Sequence, residues 1–453
     1  MRAKAPVNLV HLGLGNFFRA HQAWYTEHAS DAERWGYAAY SGHREDVVRV
    51  LQAQEGLYAL VARGPEHDTT EIVGSLSEAR AGADHVGWLG HLASPAVAVV
   101  TVTVTEAGYC SARGGGLDGS RPDVLADVAR LREDATAAVV TAPARLVAGL
   151  AARCRSDAGP VAVVPCDNVA GNGELVRQVV TDLAERLDGA LADWIDGSVG
   201  FVTTVVDRIT PRPERGAGAW TNALGWRDDA PVVTEPFSEW VLSGDFPSGR
   251  PRWEDGGAIL AGDATVYEQR KLWLLNGAHS LLAYGGSILG WHTVADAVRD
   301  DECRGWVESW WTTASGHLAQ GADELGAYRD ALAGRFANPR MRDRLARIAE
   351  DGSQKLPVRV LPVLRAERAE GRVPRAATRV LAAWLCHLRG SGAPVRDVRA
   401  DVLVPLAAGP VVDAARRVCA ALDPAVGADD DVTTAVAEQC RELEASARRR
   451  ANA

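Results

Sequence analysis

The stretch KLWLLNGAH (271–279) threads a lysine, an asparagine and a histidine through a run of leucines. Taken as a helix turning about 100° per residue, it sets Lys271 and His279 roughly 80° apart, with Asn276 about 60° beyond His279. All three can then address one side of a cleft while Leu272, Leu274 and Leu275 pack elsewhere. An apolar setting disfavours the ammonium form of a lysine and tunes Lys271 toward the range of a general base. The Asn276 amide could donate to a developing alkoxide, in the manner of an oxyanion hole. His279 could orient the lysine or hold a substrate hydroxyl. The plain alternative is an amphipathic helix with a snorkelling lysine and a core histidine.

A second group of candidates lies in the first half. VNLVHLG (7–13) reads as a strand and runs into GLGNFFRAH (13–21). Gly13 and Gly15 would allow a tight turn and a close approach to a pyrophosphate, whose charge meets a helix N-terminus. The third glycine of the usual fingerprint is replaced by Phe18, and His21 reads either as a site residue or as a packed or capping one. After the second strand candidate, YAAYS (37–41), the loop offers Glu45 and Asp46 for a ribose 2′-hydroxyl, but also His43 and Arg44 for a 2′-phosphate. NAD is the expected cofactor, with NADP left open. TVTEAGY (103–109) follows the clearest strand, AVAVVTVTVT (96–105), where strand carboxyl ends face a ligand crevice. PCDNVAGNG (165–173) ends another strand in the same manner. Its Asn168 could cap the next helix or donate to a ligand oxygen, and Asn172, between glycines, reads as a turn former. In VVDRITP (205–211), Asp207 and Arg208 could belong to a site or pair with each other at the surface.

These residues need elements to hold them. VAVVP (161–165) and VGFVTTVV (199–206) add two strand candidates, separated from the others by helical patterns at 137–153 and 173–188. The near-continuous apolar character of 96–105 fits a strand buried on both faces. Strands alternating with helices predict a doubly wound parallel sheet. Beyond about residue 265 strand candidates become scarce, and 322–334, 340–350, 375–389 and 431–449 read as amphipathic helices. The proline- and glycine-bearing stretch 244–264 is the candidate join. The expected architecture is α/β: a Rossmann-like dinucleotide-binding domain over 1–264, followed by a mostly α-helical catalytic domain over 265–453.

Bulk properties exclude other classes. A chain of 453 residues, 47% hydrophobic and 24% charged, suits two globular domains. A net charge of −10 argues against a nucleic-acid binder, which needs a basic face. No apolar run reaches bilayer length, and the first residues lack the apolar core of a secretory signal. Seven scattered cysteines without a CxxC pair suggest neither a disulfide framework nor a cysteine zinc site. The expectation is a soluble cytoplasmic protein acting on a small molecule; its oligomeric state is not readable.

Taken together, GLGNFFRAHQAWY, TVTEAGY, CDN followed by NG, VVDRITP and YEQRKLWLLNGAH stand in the order and spacing of the mannitol dehydrogenase family. LQAQEGLY (51–58) and RFANPRMRDRLARIAEDGSQKLP (335–357) resemble it too, so the likeness covers nearly the full chain. VDRITP looks like the core of that family's signature, and Lys-x4-Asn-x2-His looks like its catalytic hallmark. The resemblance implies a metal-independent, NAD(P)-dependent polyol dehydrogenase, with D-mannitol oxidised to D-fructose. The alternative it implies is a hexonate enzyme interconverting D-mannonate and D-fructuronate. It implies Lys271 as general acid/base, the amides of Asn168 and Asn276 around the reacting oxygen, and His279 and Asp207 on substrate hydroxyls. Arg347 and Lys355 would hold the far end of a polyol or sugar-acid substrate. The cofactor is expected against Gly13, Gly15, Asn16, Phe17 and Arg19 of the glycine turn, against Glu45, and against Thr105 and Glu106. Trp273 departs from the arginine expected in many members, and the chain is somewhat shorter than the better-known ones, so the pocket's loops are expected to differ.

Overall fold

The computed structural model describes residues 4–42, 45–112, 114–211 and 227–451. It divides into two compact units, Met1–Thr265 and Val266–Ala453.

The first unit carries β1 (Val7–Leu12), β2 (Gly36–Tyr40), β3 (Tyr58–Arg63), β4 (Asp68–Val73), β5 (Leu76–Arg80) and β6 (Val99–Val102). It continues with β7 (Val161–Pro165), β8 (Val199–Phe201), β9 (Thr203–Asp207), β10 (Val232–Thr234), β11 (Glu239–Ser243) and β12 (Ile259–Leu260). Six strands form a parallel sheet in the order β5-β2-β1-β6-β7-β8. Residues of β1, β2, β6 and β7 alternate between two apolar clusters, one on each face: Val10, Val100 and Val163 in one, Leu9, Val99 and Val164 in the other. Burial on both faces is why these strands read as unbroken apolar runs rather than as alternating ones.

The apolar run 96–105 yields a shorter strand than its composition predicts. Only Val99–Val102 are strand, because Thr103 turns in to bond Gly13. VGFVTTVV becomes two strands in different sheets. The Val202 N–H still donates to Val163 O at 3.0 Å, and from Thr203 onward the chain pairs antiparallel with β11. The helix expected from 137 starts at Ala142, where Thr141 accepts the Ala144 N–H and Pro143 sits in the first turn. Two three-stranded sheets, β10-β3-β4 and β12-β11-β9, went unforeseen, since stretches such as DTTEIV carry little apolar pattern.

The second unit is built from helices among its described residues. Three of the expected helices run at Ala322–Phe336, Arg375–Leu388 and Asp430–Ala451. The fourth shrinks to Leu345–Ile348, because Arg342 turns the chain with φ at +48°. Helix Arg375–Leu388 is buried along nearly its whole length and forms the centre of this unit. No helix among the described residues is long and apolar enough to cross a membrane.

Candidate active site

In the first unit the chain leaves β1 for β2 on one side of the sheet and returns to β6 on the other. The crevice at the carboxyl ends of β1 and β6 is therefore a topological switch point, the place where open α/β sheets bind ligands. The turn there begins at Gly13, at φ +117°, whose own N–H and that of Leu14 both donate to Tyr40 O, at 2.9 and 2.8 Å. A Cβ on Gly13 would lie 2.2 Å from Thr103 O, so only glycine fits. A Cβ on Gly15 would meet only Gly13 O, at 3.5 Å, so the backbone there is open to close approach. Beneath the turn, His11 bonds Thr101 Oγ1 at 2.8 Å and Thr103 Oγ1 at 3.0 Å, and stacks on Phe18 at 3.7 Å. Burial pushes its pKa down to about 3, so the turn rests on a neutral imidazole.

The expected cofactor residues divide by exposure. Thr105 and Glu106 are exposed at the start of a short 3-10 turn, Glu106–Tyr109, and Glu45 is exposed just before the helix Asp46–Ala53. His43 and Arg44 lie outside the described residues. Asn16 and Phe17 are half-buried, with Phe17 stacked on His21 at 5.0 Å. Arg19 is buried. Its guanidinium donates to Ala230 O and, at 2.7 Å, to Asn16 Oδ1, while its carbonyl accepts from Tyr58 Oη. Its visible task is to fasten the turn to the β10 region. His21 Nε2 donates to Glu239 O at 3.0 Å, and the ring packs against Tyr25 and Trp240.

At the end of β7, Asn168 is exposed on the loop that follows. Tyr109 Oη donates to Asp167 Oδ2 beside it, and burial next to that carboxylate raises the tyrosine well above its ordinary value. Asn172 is not a turn former. It opens the helix Asn172–Leu187, wholly buried, its Oδ1 accepting the Thr204 N–H at 2.9 Å and its Nδ2 facing Thr204 Oγ1 and Pro165 O. It thereby ties the end of β7 to β9. Asp207 is buried at the end of β9, whereas Arg208 turns away from it: Nη1 donates to Ala20 O at 2.6 Å and the guanidinium lies 4.6 Å from the Trp24 ring. Burial lowers the Arg208 pKa to about 10.

In the second unit, Lys271, Asn276 and His279 do lie on one helical element, but it is not a regular α-helix. Residues Lys271–Gly277 form a π-helix, Ala278–Leu281 an α-turn, and Leu282–Gly286 a second π-helix. Hydrogen bonding from i to i+5 widens each turn and brings Asn276 closer round to the side of Lys271 than regular α-helical spacing does. Two indoles support this widened backbone: Trp310 Nε1 donates to Trp273 O at 2.7 Å and Trp311 Nε1 to Leu274 O at 2.9 Å. Gly277 is required beside them, since a Cβ there would sit 2.6 Å from the Trp310 ring. Lys271 is 9% exposed, Asn276 half-buried, and His279 stacks on Phe336 at 4.7 Å.

Arg359, which sequence reasoning missed, sends Nη1 to Ser280 Oγ at 3.2 Å and Asn276 O at 3.5 Å. Burial lowers its pKa to about 10. The signals available were an arginine between valines in PVRVLP and the adjacent Trp310–Trp311 pair, each indole needing an acceptor. Arg347 is exposed on the short helix Leu345–Ile348. Lys355 Nζ donates to Ile348 O at 3.3 Å and to Glu350 O, and burial lowers its pKa.

The chain can now be set beside known proteins. The D-mannonate oxidoreductase of Escherichia coli (strain K12) is 36% identical over 400 residues, covering 84% of this chain and 80% of that protein. The mannitol 2-dehydrogenase of Cereibacter sphaeroides is 32% identical over 394 residues, covering 84% and 81%. The Pseudomonas fluorescens mannitol 2-dehydrogenase, solved as a ternary complex with NAD and D-mannitol, superposes with a TM-score of 0.82 at 28% identity, over 99% of this chain and 95% of that one. The profile of the mannitol dehydrogenase Rossmann domain matches residues 7–255 and that of the mannitol dehydrogenase C-terminal domain matches residues 263–443. A switch-point glycine turn in one unit and a lysine-led π-helix in the other, matched nearly end to end by both profiles, make the chain an oxidoreductase of the mannitol dehydrogenase family.

Proposed function

We propose that this protein oxidises a polyol, D-mannitol to D-fructose, with NAD as cofactor and Lys271 as general base. The observation that carries the proposal is the nearly buried Lys271 at the head of a π-helix that also bears Asn276 and, one α-turn on, His279. The relatives that act on mannitol support the substrate class.

The glycine turn fits a dinucleotide: Gly13 admits no side chain and Gly15 leaves its backbone open at the switch point. Gly13, Gly15, Asn16 and Phe17 would hold the pyrophosphate side, with Arg19 fixing the turn. Glu45 would take the ribose hydroxyls, and Thr105 with Glu106 would flank the far side of the crevice. When bound, the nicotinamide supplies the hydride acceptor. Neutral Lys271 takes the proton from the substrate's carbinol oxygen. The amides of Asn168 and Asn276 donate to that oxygen as negative charge develops, and His279 and Asp207 hold neighbouring hydroxyls. Arg347 and the remaining N–H of Lys355 hold the far end of the substrate.

The 36% identity to a D-mannonate oxidoreductase supports a second reading, a hexonate substrate whose carboxylate meets Arg347. Initial rates by NAD(P)H absorbance, with each cofactor, against D-mannitol, D-arabinitol, D-sorbitol, D-mannonate and D-altronate separate the two. Turnover of D-mannitol with NAD above the other substrates is expected. Turnover confined to the hexonates moves the function to uronate chemistry. Lys271→Ala should cut turnover by several orders of magnitude while cofactor binding persists, and near-normal turnover in that variant overturns the assignment.

A further inference from the structure

The sequence scatters its seven cysteines, yet the fold brings two together inside the helical unit. Cys386, on helix Arg375–Leu388, and Cys440, on helix Asp430–Ala451, are both fully buried, and their sulfurs lie 2.7 Å apart. Cys386 Sγ also faces Cys440 O at 3.6 Å, and Cys440 Sγ faces Glu444 Oε1 at 3.9 Å. Glu444 is in turn 3.6 Å from Arg389 Nε. The two sulfurs are nearer than unbonded thiols rest. These three side chains are also the one group among the described residues with the proximity of a metal site. A tetrahedral zinc bound at about 2.3 Å, however, would hold two sulfurs roughly 3.8 Å apart, so the spacing does not suit a shared ion. The pair fits a bond between the sulfurs.

We propose that Cys386 and Cys440 are a redox-modification site that closes to a disulfide, clamping the last described helix onto the central helix of the second unit. The oxidant is a low-molecular-weight disulfide such as oxidised glutathione. One thiolate attacks it, forming a mixed disulfide and releasing one reduced thiol. The second thiolate then displaces the second reduced thiol as the Cys386–Cys440 bond forms. The protein loses two protons and two electrons, and the small disulfide gains them. The hydrogen bond with the neighbouring Cys440 sulfur, and after it burial, push the Cys386 thiol up, so exchange proceeds while the helix Asp430–Ala451 is undocked.

The bond would span 54 residues, long enough to remove much freedom from the unfolded chain. The central helix to which it would be clamped, Arg375–Leu388, packs on the element that carries Lys271: its His387 lies 5.1 Å from Tyr284, and Tyr284 belongs to the second π-helix that follows Lys271.

The test uses the full chain, equilibrated with oxidised glutathione or with dithiothreitol, then denatured and alkylated with iodoacetamide. After oxidation five of the seven thiols should react, with a peptide linking Cys386 to Cys440 in the mass spectrum; after reduction all seven should react. The oxidised protein should melt higher by about 5 °C or more, and that difference should vanish in Cys386→Ser and in Cys440→Ser. Seven reactive thiols under both conditions, glutathione adducts without the linked peptide, or stoichiometric zinc retained by the purified protein would each overturn the proposal. The wild-type alkylation count decides the matter even if a serine variant fails to fold.

Discussion

His11 is held neutral in the folded protein between Thr101, Thr103 and the face of Phe18, its pKa lowered by burial from 6.5 to about 3. In the unfolded chain the same imidazole takes up a proton below about pH 6.5. The stability that depends on its neutrality is therefore fully present above pH 6.5 and is lost as the pH falls toward 3. At pH 5 the loss amounts to about 2 kcal/mol. Other histidines titrate too, so the diagnostic is a difference in slope. Unfolding free energies from urea titrations at pH 7.5 and 5.0 should fall less in His11→Asn than in the wild type, by an amount equal to that loss. Equal slopes would show that His11 does not carry the effect. Residue-level reading of the sequence located the glycine turn above His11 correctly but had no means of seeing the role of Arg19. Its guanidinium is spent on Ala230, which lies 211 positions away, and local sequence pattern reports no such pairing.

The element that carries Lys271 shows where reading by periodicity stops. Leucines at 272, 274 and 275 are compatible with an α-helix or with a π-helix, because both present a packed side and a polar side. What selects the wider turn is tertiary: Trp310 and Trp311, on helix Asp301–Ser315, donate to the Trp273 and Leu274 carbonyls. The same limit explains the strand at 96–105, which stops at Val102 once Thr103 bonds Gly13, and the helix at 340–350, which the turn at Arg342 shortens. Strand and helix types in long periodic segments were legible; the points where a distant partner bends or ends them were not. Gly277→Ala tests the element directly. The added Cβ would stand 2.6 Å from the Trp310 indole, so the ring must shift and its bond to Trp273 O weakens. A kcat loss of tenfold or more is expected, with a stability loss of about 1–3 kcal/mol by urea unfolding and unchanged cofactor affinity. Trp310→Phe, which removes the donor together with the pyrrole half of the buried indole, should also lower kcat. Wild-type kcat in Gly277→Ala would mean that the π-helical geometry is not needed for turnover.

Across the whole molecule, the groups proposed for cofactor and for proton transfer fall in two different compact units. Gly13, Gly15, Asn16, Phe17, Arg19, Glu45, Thr105 and Glu106 lie within Met1–Thr265, and Lys271, Asn276 and His279 within Val266–Ala453. The first unit has its own apolar clusters on the two faces of its sheet, and the second is built around helix Arg375–Leu388. A ligand that binds the native first unit stabilises it by mass action, by about 2.7 kcal/mol at a hundredfold excess over Kd. Scanning calorimetry with and without saturating NAD should therefore show an upward shift of several degrees in the transition of the first unit. Gly13→Ala should abolish that shift. The new methyl would meet Thr103 O at 2.2 Å in a backbone held at φ +117°, so the turn must open and its bonds to Tyr40 O are lost. The second unit contains no part of that strain, so its unfolding in the absence of ligand should keep its wild-type temperature in the variant. A full NAD-induced shift in Gly13→Ala would remove the glycine turn from the cofactor site. A downward move of both units' transitions would show instead that the turn supports the fold of the whole chain rather than the binding of one ligand.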